Sequence, residues 1–346
     1  MNDSILLART ETALGFVLIN KGQYSSALTP LNDAVSIQSK LNPYSSELGE
    51  TFLNLGDAQT YLGHYPMAED YYRRAESIHR RVLGENHPKV AEDLRGIAQV
   101  KETEGHYAEA EQNEREGLRI ATAWYGKDHP AIASQMTALA STLLYEMKNA
   151  DDPKYQQAND LLQQALAIRE RTFGSGSSQV AYVLNSLGSA ALYAHKYPGA
   201  EAYFQREAVA YKSAYSANDY RFAIALANLA TAYQQEKRYT DAEPLLRQAV
   251  AINTAALGPD NINTAIDQIK LGRILEHERR DREGEPHTRA GFEVLLKQTS
   301  PDTDFIEGAG YDLELAYTRL NEPQKLEEIK KVIASFKIKI HKSGNP

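Results

Sequence analysis

The sequence repeats itself, and the repeat is one that stacked helices satisfy. Tyr24, Tyr65, Tyr107, Tyr155, Tyr197 and Tyr239 follow one another at intervals of 41, 42, 48, 42 and 42 residues, and each is followed three residues later by an alanine: Ala27, Ala68, Ala110, Ala158, Ala200 and Ala242. Twelve residues before most of these alanines stands another small residue, at Gly15, Gly56, Ala98, Gly188 and Ala230, with Gly272 before Gly284. Seven earlier again come Ala8, Gly49, Ala91, Ala181, Ala223 and Ala265. A spacing of seven keeps residues on one helical face, and small side chains on that face let two helix axes approach closely. Each unit therefore reads as helix, short turn, helix. Period-two alternation is absent, so strands are not needed.

The junctions between units agree with this reading. "GENHPKVAED" at 84–93 returns in altered form as "GKDHPAIASQ" at 126–135. Gly84 is suited to stop a helix in the left-handed conformation, and Pro88 to the first turn of the next. The fourth unit is irregular: Ala140 keeps the step of 42 from Ala98, but Ala158 follows eighteen residues later, which places an inter-helix insertion near 146–154, in "EMKNADDPKY". After Ala242 the pattern fades, with Gly284 and Gly291 in place of alanines and Asp281 where a tyrosine is due. From Pro301 one more pair is expected, with Leu326, Ile329, Val332, Ile333 and Phe336 as a single apolar stripe. The expected organisation is a solenoid of about seven helix pairs over 1–300 and a degenerate C-terminal capping pair over 301–346, because an altered last repeat shields the end of a stack.

Composition narrows what such an array could bind. The chain of 346 residues has a formal net charge of −8, which argues against nucleic acid or an anionic membrane surface as the main partner, since both are held largely by Lys and Arg. No segment is apolar for long enough to cross a membrane, and Arg9 cuts the first apolar run short with no basic region before it, so a cytoplasmic address is expected. The absence of cysteine excludes disulfides, thiolate metal sites and a cysteine nucleophile.

The run "LGETFLNLGDAQTYLGHYPMAEDYYRRAESIHRRVLGENHP" at 48–88 resembles a tetratricopeptide repeat (TPR) of the long variety found in kinesin light chains and many bacterial regulatory proteins. The motif elements are a Leu-Gly or Leu-Ala pair, the Tyr-x-x-Ala turn and the "LG…HP" linker, and the likeness covers nearly the whole chain. It implies an all-α, right-handed superhelical solenoid of antiparallel helix pairs, with each first helix lining a concave groove in which a protein or peptide ligand lies.

Nothing in the residues argues for catalysis, a cofactor or a metal. His87 and His129 belong to the linker, His64 and His106 precede turn tyrosines, and no two histidines form a HExxH pair. "GSGSS" at 174–178 occupies the slot of "GENHP", lacks the Lys-Ser/Thr of a phosphate loop and follows no strand. The function expected is a non-catalytic binding scaffold or adaptor. The alternative is a sensory or substrate-recruiting segment of a larger enzyme, such as a bacterial protein kinase or protease.

Spacing of three and four from the small residues selects the inner stripe. In units two and three it holds Glu50, Asp57, Glu92, Arg95, Gln99 and Glu102; in units four to six it includes Tyr145, Tyr182, Asn185, Tyr193 and Asn228 and no charge at all; unit seven adds Lys270 and Arg273. An uncharged, aromatic and amide-bearing stretch is what the core of a binding surface offers. The resemblance further implies that an asparagine of the first helix hydrogen-bonds the ligand backbone; "FLNLG", "LNSLG" and "LANLA" supply Asn54, Asn185 and Asn228, while Ala13, Gly96 and Ala138 interrupt the series. The expected peptide-binding residues are thus Asn54, Tyr145, Tyr182, Asn185, Tyr193, Asn228, Lys270 and Arg273.

Overall fold

The computed structural model describes residues 2–298 and 303–343, and among them every regular element is an α-helix. The chain divides into two compact units, Met1–Thr172 and Phe173–Pro346. The first contains α1 (Asn2–Asn20), α2 (Tyr24–Leu41), α3 (Ser46–Tyr61), α4 (Tyr65–Leu83), α5 (Pro88–Thr103), α6 (Tyr107–Tyr125), α7 (Pro130–Tyr145) and α8 (Pro153–Phe173). The second contains α9 (Ser178–Tyr193), α10 (Tyr197–Ala214), α11 (Tyr220–Gln235), α12 (Tyr239–Leu257), α13 (Ile262–His277), α14 (Asp281–Leu295), α15 (Thr303–Leu320) and α16 (Pro323–Ser343). Odd-numbered helices are the first of each pair and even-numbered helices the second. Pro301, the expected start of the last pair, lies outside the described residues.

The repeated tyrosine and alanine have separate jobs. Tyr24, Tyr65, Tyr107, Tyr197 and Tyr239 each open a second helix, and the alanines three residues on, from Ala27 to Ala242, are completely buried where that helix meets its partner. The small residue twelve before the alanine faces a large one on the second helix. A Cβ added to Gly15 would strike Leu31, one on Gly188 would strike Phe204, and one on Gly56 would come within 2.5 Å of the Tyr72 ring. Tyr72 is also gripped from the next pair, where a Cβ on Gly96 would again stand 2.5 Å from its ring. Its hydroxyl, buried with it, donates to Asp57 Oδ1 at 2.8 Å. Gly96 therefore breaks the asparagine series because the neighbouring ring fills the space a side chain would need.

Linkers and turns also follow from residue chemistry. The "HP" pairs are helix starts: His87 and His129 are N-caps whose Nδ1 accepts the backbone N–H of Lys89 and Ala131, each at 3.2 Å, and the prolines take the first helical position, where no N–H is required. Gly84 ends α4 with φ 97 and ψ 160. This is not the left-handed helical cap expected from the sequence but the mirror-extended region, which glycine alone reaches readily. Within pairs, the turn position at Gly22, Gly63 and Gly105 has φ between 73 and 78. The same position in the second unit is held by His195, Lys237, Arg279 and Asn321, with φ from 55 to 65, so four non-glycine residues adopt a conformation that side chains disfavour.

Polar rungs cross the interfaces between pairs. Thr51 donates to Gln38 Oε1 at 2.9 Å, His79 meets Asp93 at 2.7 Å and Asn253 donates to Asp267 at 2.8 Å, all buried. Each joins the fifteenth residue counted from the turn tyrosine to the residue five before the next small packing position. Around them the core is apolar: Phe222, Leu226, Ala230, Leu246, Leu271 and Ile274 form one cluster, and Phe292, Leu295, Ile306, Leu313, Tyr317 and Ile329 another that seats α15 and α16.

Candidate functional site

Charge is unevenly placed on this chain. Neither α7 nor α9 contains a single Asp, Glu, Lys or Arg, and α11 contains only Arg221. Ion pairs of the second unit include second helices and turns, as in Arg238 with Glu201 at 2.8 Å and Arg280 with Glu243 at 2.7 Å, and the first helices α13 and α15. Helices α7, α9 and nearly all of α11 are left with neutral side chains.

In the first unit, Asn54 is half-buried and lines a pocket of about 510 Å³ together with Arg9, Thr12, Phe16, Glu50 and Lys89. The charges on its rim are paired: Arg9 with Glu47 at 2.9 Å, and Lys89 with Glu50. Phe16, 54% exposed, is the apolar wall. Asp57 sits near Arg95 and Glu92, and burial, partly offset by the Tyr72 hydroxyl and then Arg95, raises its carboxyl above the ordinary range. Tyr145, 59% exposed, stacks on Tyr107 with ring centroids 5.6 Å apart.

In the second unit, Tyr182 and Tyr193 are 61% and 65% exposed on α9. Asn185 and Asn228 are half-buried and share one partner that the sequence reading did not single out. Asn185 Nδ2 donates to Glu207 Oε1 at 3.0 Å, and Asn228 approaches the same carboxyl from α11 and favours its charged form. Glu207 is completely enclosed, and burial pushes its pKa up to about 8, opposed only by the two amides. Its Oε2 is buried without a partner that meets hydrogen-bond geometry. The signal for it was present in the repeat: seven residues after the turn alanine, six other pairs carry Ala34, Ala75, Gly117, Ala165, Ala249 and Gly291, the last pair carries Ile333, and this one carries an acid.

The three asparagines are not equivalent, which corrects the sequence reading. Asn54 and Asn228 lie two residues before Gly56 and Ala230, whereas Asn185 lies three before Gly188, and the place matching the other two on α9 is Ser186. The offset of one residue, about 100° around a helix, turns Asn185 onto the second helix of its own pair. On α13 the matching place is Lys270. Burial lowers its ammonium pKa, with Asp267 acting in the opposite sense and Arg273 reinforcing the fall. Arg273 is engaged, its Nε donating to Asp312 Oδ2 at 2.7 Å. Among the described residues no group of His, Asp and Glu could hold a metal ion, and no helix is long and apolar enough to cross a membrane.

Stacked antiparallel helix pairs with a fixed turn motif and a first-helix face set apart in composition define an α-helical repeat protein. Comparison with known families makes this specific: the Tetratricopeptide repeat family profile matches residues 6–81, 65–123 and 221–283, more than half the chain, and a second Tetratricopeptide repeat profile matches 154–178. The chain belongs to the tetratricopeptide repeat family. Among solved structures it is similar to the apo form of the quorum sensor NprR from B. thuringiensis, at 12% identity and a TM-score of 0.68 over 96% of this chain and 88% of that one. It is similar to the apo form of RapI at 12% identity and a TM-score of 0.64, over 97% of this chain and 99% of that one. BtubC (BKLC) from P. vanneervenii is 20% identical with a TM-score of 0.57, over 69% of this chain and 92% of that one. At these identities the likeness is one of fold. No curated protein matches the sequence.

Proposed function

We propose that this chain is a non-catalytic scaffold of the cytoplasm whose first-helix face holds a peptide segment of a partner protein. Each unit offers its own contact surface: in the second Tyr182, Asn185, Tyr193 and Asn228, with Lys270 and Arg273 at its C-terminal edge, and in the first Asn54 in its pocket and Tyr145. The observation that carries this reading is the clearing of charge from α7, α9 and nearly all of α11 in a chain with 24% charged residues, while Tyr145 on α7 and Tyr182 and Tyr193 on α9 stand exposed. Exposed aromatic rings with amides beside them and charges moved to the rim are what a desolvated contact core requires. That one structural neighbour is a quorum sensor agrees with ligand binding on this fold.

Peptides selected from a random display library on the full chain test the reading. A selected peptide should lose about 5- to 30-fold in affinity with Asn228→Ala or Tyr193→Ala, the loss of a hydrogen bond or an aromatic contact in a desolvated site. It should be unaffected by Arg95→Ala. Selected peptides that are insensitive to both groove variants would overturn it.

A further inference from the structure

Glu207 stands where six other pairs have alanine or glycine and the last has Ile333, and the neighbouring helices are built around it. Helices α9, α10 and α11 each contribute one polar side chain to the same point: Asn185, Glu207 and Asn228. An amide that donates to the carboxyl turns its NH2 inward, and a planar amide that does so leaves its carbonyl oxygen on the side away from the acid. Asn185 has that orientation. A surface made this way offers acceptors, backed by a carboxyl that still has one unpartnered oxygen. Aromatic rings stand beside it: Tyr211 is one turn further along α10 and interacts with both Glu207 and the exposed Tyr182. The influences on the acid are its burial and the two amides, with no Lys or Arg among them. Arg221, the only base on α11, pairs with Asp219 at 3.1 Å and lies over the Tyr215 ring.

Acceptors, a carboxyl lacking a counter-ion and flanking rings together form a receptor for a cation. We infer that Asn185, Asn228 and Glu207, with Tyr182 and Tyr211 beside them, form a subsite for a guanidinium or ammonium group of the bound peptide. This rests on the peptide-binding reading above and names the chemistry of one position within it. In the absence of such a group the carboxyl relieves its burial by keeping a proton, and when the cation arrives the proton leaves for solvent, so charge balances within the pair. The groups facing Glu207 are Asn185 from α9, Tyr211 from its own helix and Asn228 from α11, with Tyr215, Arg221 and Tyr182 acting on Tyr211. Tyr211 cannot replace the acid between pH 6 and 9, since burial, followed by Glu207, pushes it up to about 12.

The test is an NMR titration of the full chain with N-acetyl-arginine amide and with its uncharged isostere N-acetyl-citrulline amide, observing the side-chain amides of Asn185 and Asn228 and the Glu207 carboxyl carbon. The arginine compound should move all three signals and lower the Glu207 midpoint, and the citrulline compound should do neither. Because only the ionised fraction is competent, arginine affinity should fall by about 100-fold from pH 9 to pH 6 in the parent and stay level in Glu207→Gln. Equal shifts from both compounds, or an arginine affinity independent of pH in the parent, would overturn the subsite. If selected peptides bind and depend on Asn228 but carry no basic residue, the cation subsite is wrong while the groove reading stands. If the arginine compound binds as described and no peptide does, the peptide reading fails separately.

Discussion

His79 Nδ1 and Asp93 Oδ2 meet at 2.7 Å with both side chains completely enclosed between α4 and α5. Burial, partly offset by His79, pushes the aspartate up to about 6, and its other oxygen has no partner. The pair occupies the rung that Gln38 with Thr51 and Asn253 with Asp267 occupy elsewhere, so it fixes the register of one repeat on the next. Asp93→Ala should cost about 1–3 kcal/mol by leaving the imidazole unsatisfied. Joint replacement of both by leucine should recover much of that loss. Urea unfolding of the two single variants and the double variant checks this; a double variant as unstable as the sum of the singles would contradict it.

Stability should depend on pH through Glu207. Its folded-state pKa of about 8 lies above that of an unfolded glutamate, about 4.3, so between those values the folded chain keeps a proton that the unfolded chain has released. The contribution is present below about pH 4.3 and is lost as pH rises toward 8. Glu207→Gln abolishes this slope, so the variant should gain a few kcal/mol, roughly, over the parent at pH 9 and almost nothing at pH 4. An equal gain at both pH values would show that the carboxyl titrates alike in the folded and unfolded chain. Glu114, also pushed up to about 8 by burial and then by Glu102, adds its own slope to parent and variant alike.

Ala230, 1% exposed between α11 and α12, has no room to grow. Ala230→Leu should force the two helices of its pair apart and cost about 1–3 kcal/mol by overpacking. A melting temperature equal to the parent's would mean that the close approach lies elsewhere on the helix.

Lys237 holds its turn at φ 61, where Gly22, Gly63 and Gly105 serve in the first unit. Lys237→Gly should stabilise by up to about 1 kcal/mol, the relief of a strained side chain less the added freedom of the unfolded glycine. A loss on substitution, measured by chemical unfolding, would show that the lysine compensates through a contact of its own.

Peptide binding to the second unit should weaken only modestly between low and physiological salt. A single cation paired beneath neutral side chains is screened far less than rim charges, which fade over about 8–10 Å. Titrations at several salt concentrations that gave a steep decline would instead place the contact among the charged residues near Arg95 and Glu92.

The arrangement of helices was legible because packing reads residue size, and size recurs: Gly15, Gly56 and Gly188 are small for the same reason, each facing a bulky partner one helix away. The asparagines were legible as residue types and misleading as a series. A displacement of one residue separates Asn185 from Asn54 and Asn228, and it is invisible until the second helix supplies Glu207. Arg273 was expected among the peptide-binding residues and already holds Asp312, because a long side chain finds partners that helix spacing does not reveal. Glu207 itself was overlooked among 46 acidic residues. It stands out only against the small residues that hold its place in six other pairs.

The ring of Tyr72, lodged between Gly56 of its own pair and Gly96 of the next, bears on how such an array can change length. Splicing the fourth unit directly behind the second would bring the Ala138 methyl against that ring, and setting the third behind the first would leave Gly96 facing Leu31 with nothing to fill the gap. Units two and three can therefore be duplicated, deleted or transplanted together but not apart, and recombination within the gene is restricted to cuts that leave that junction whole.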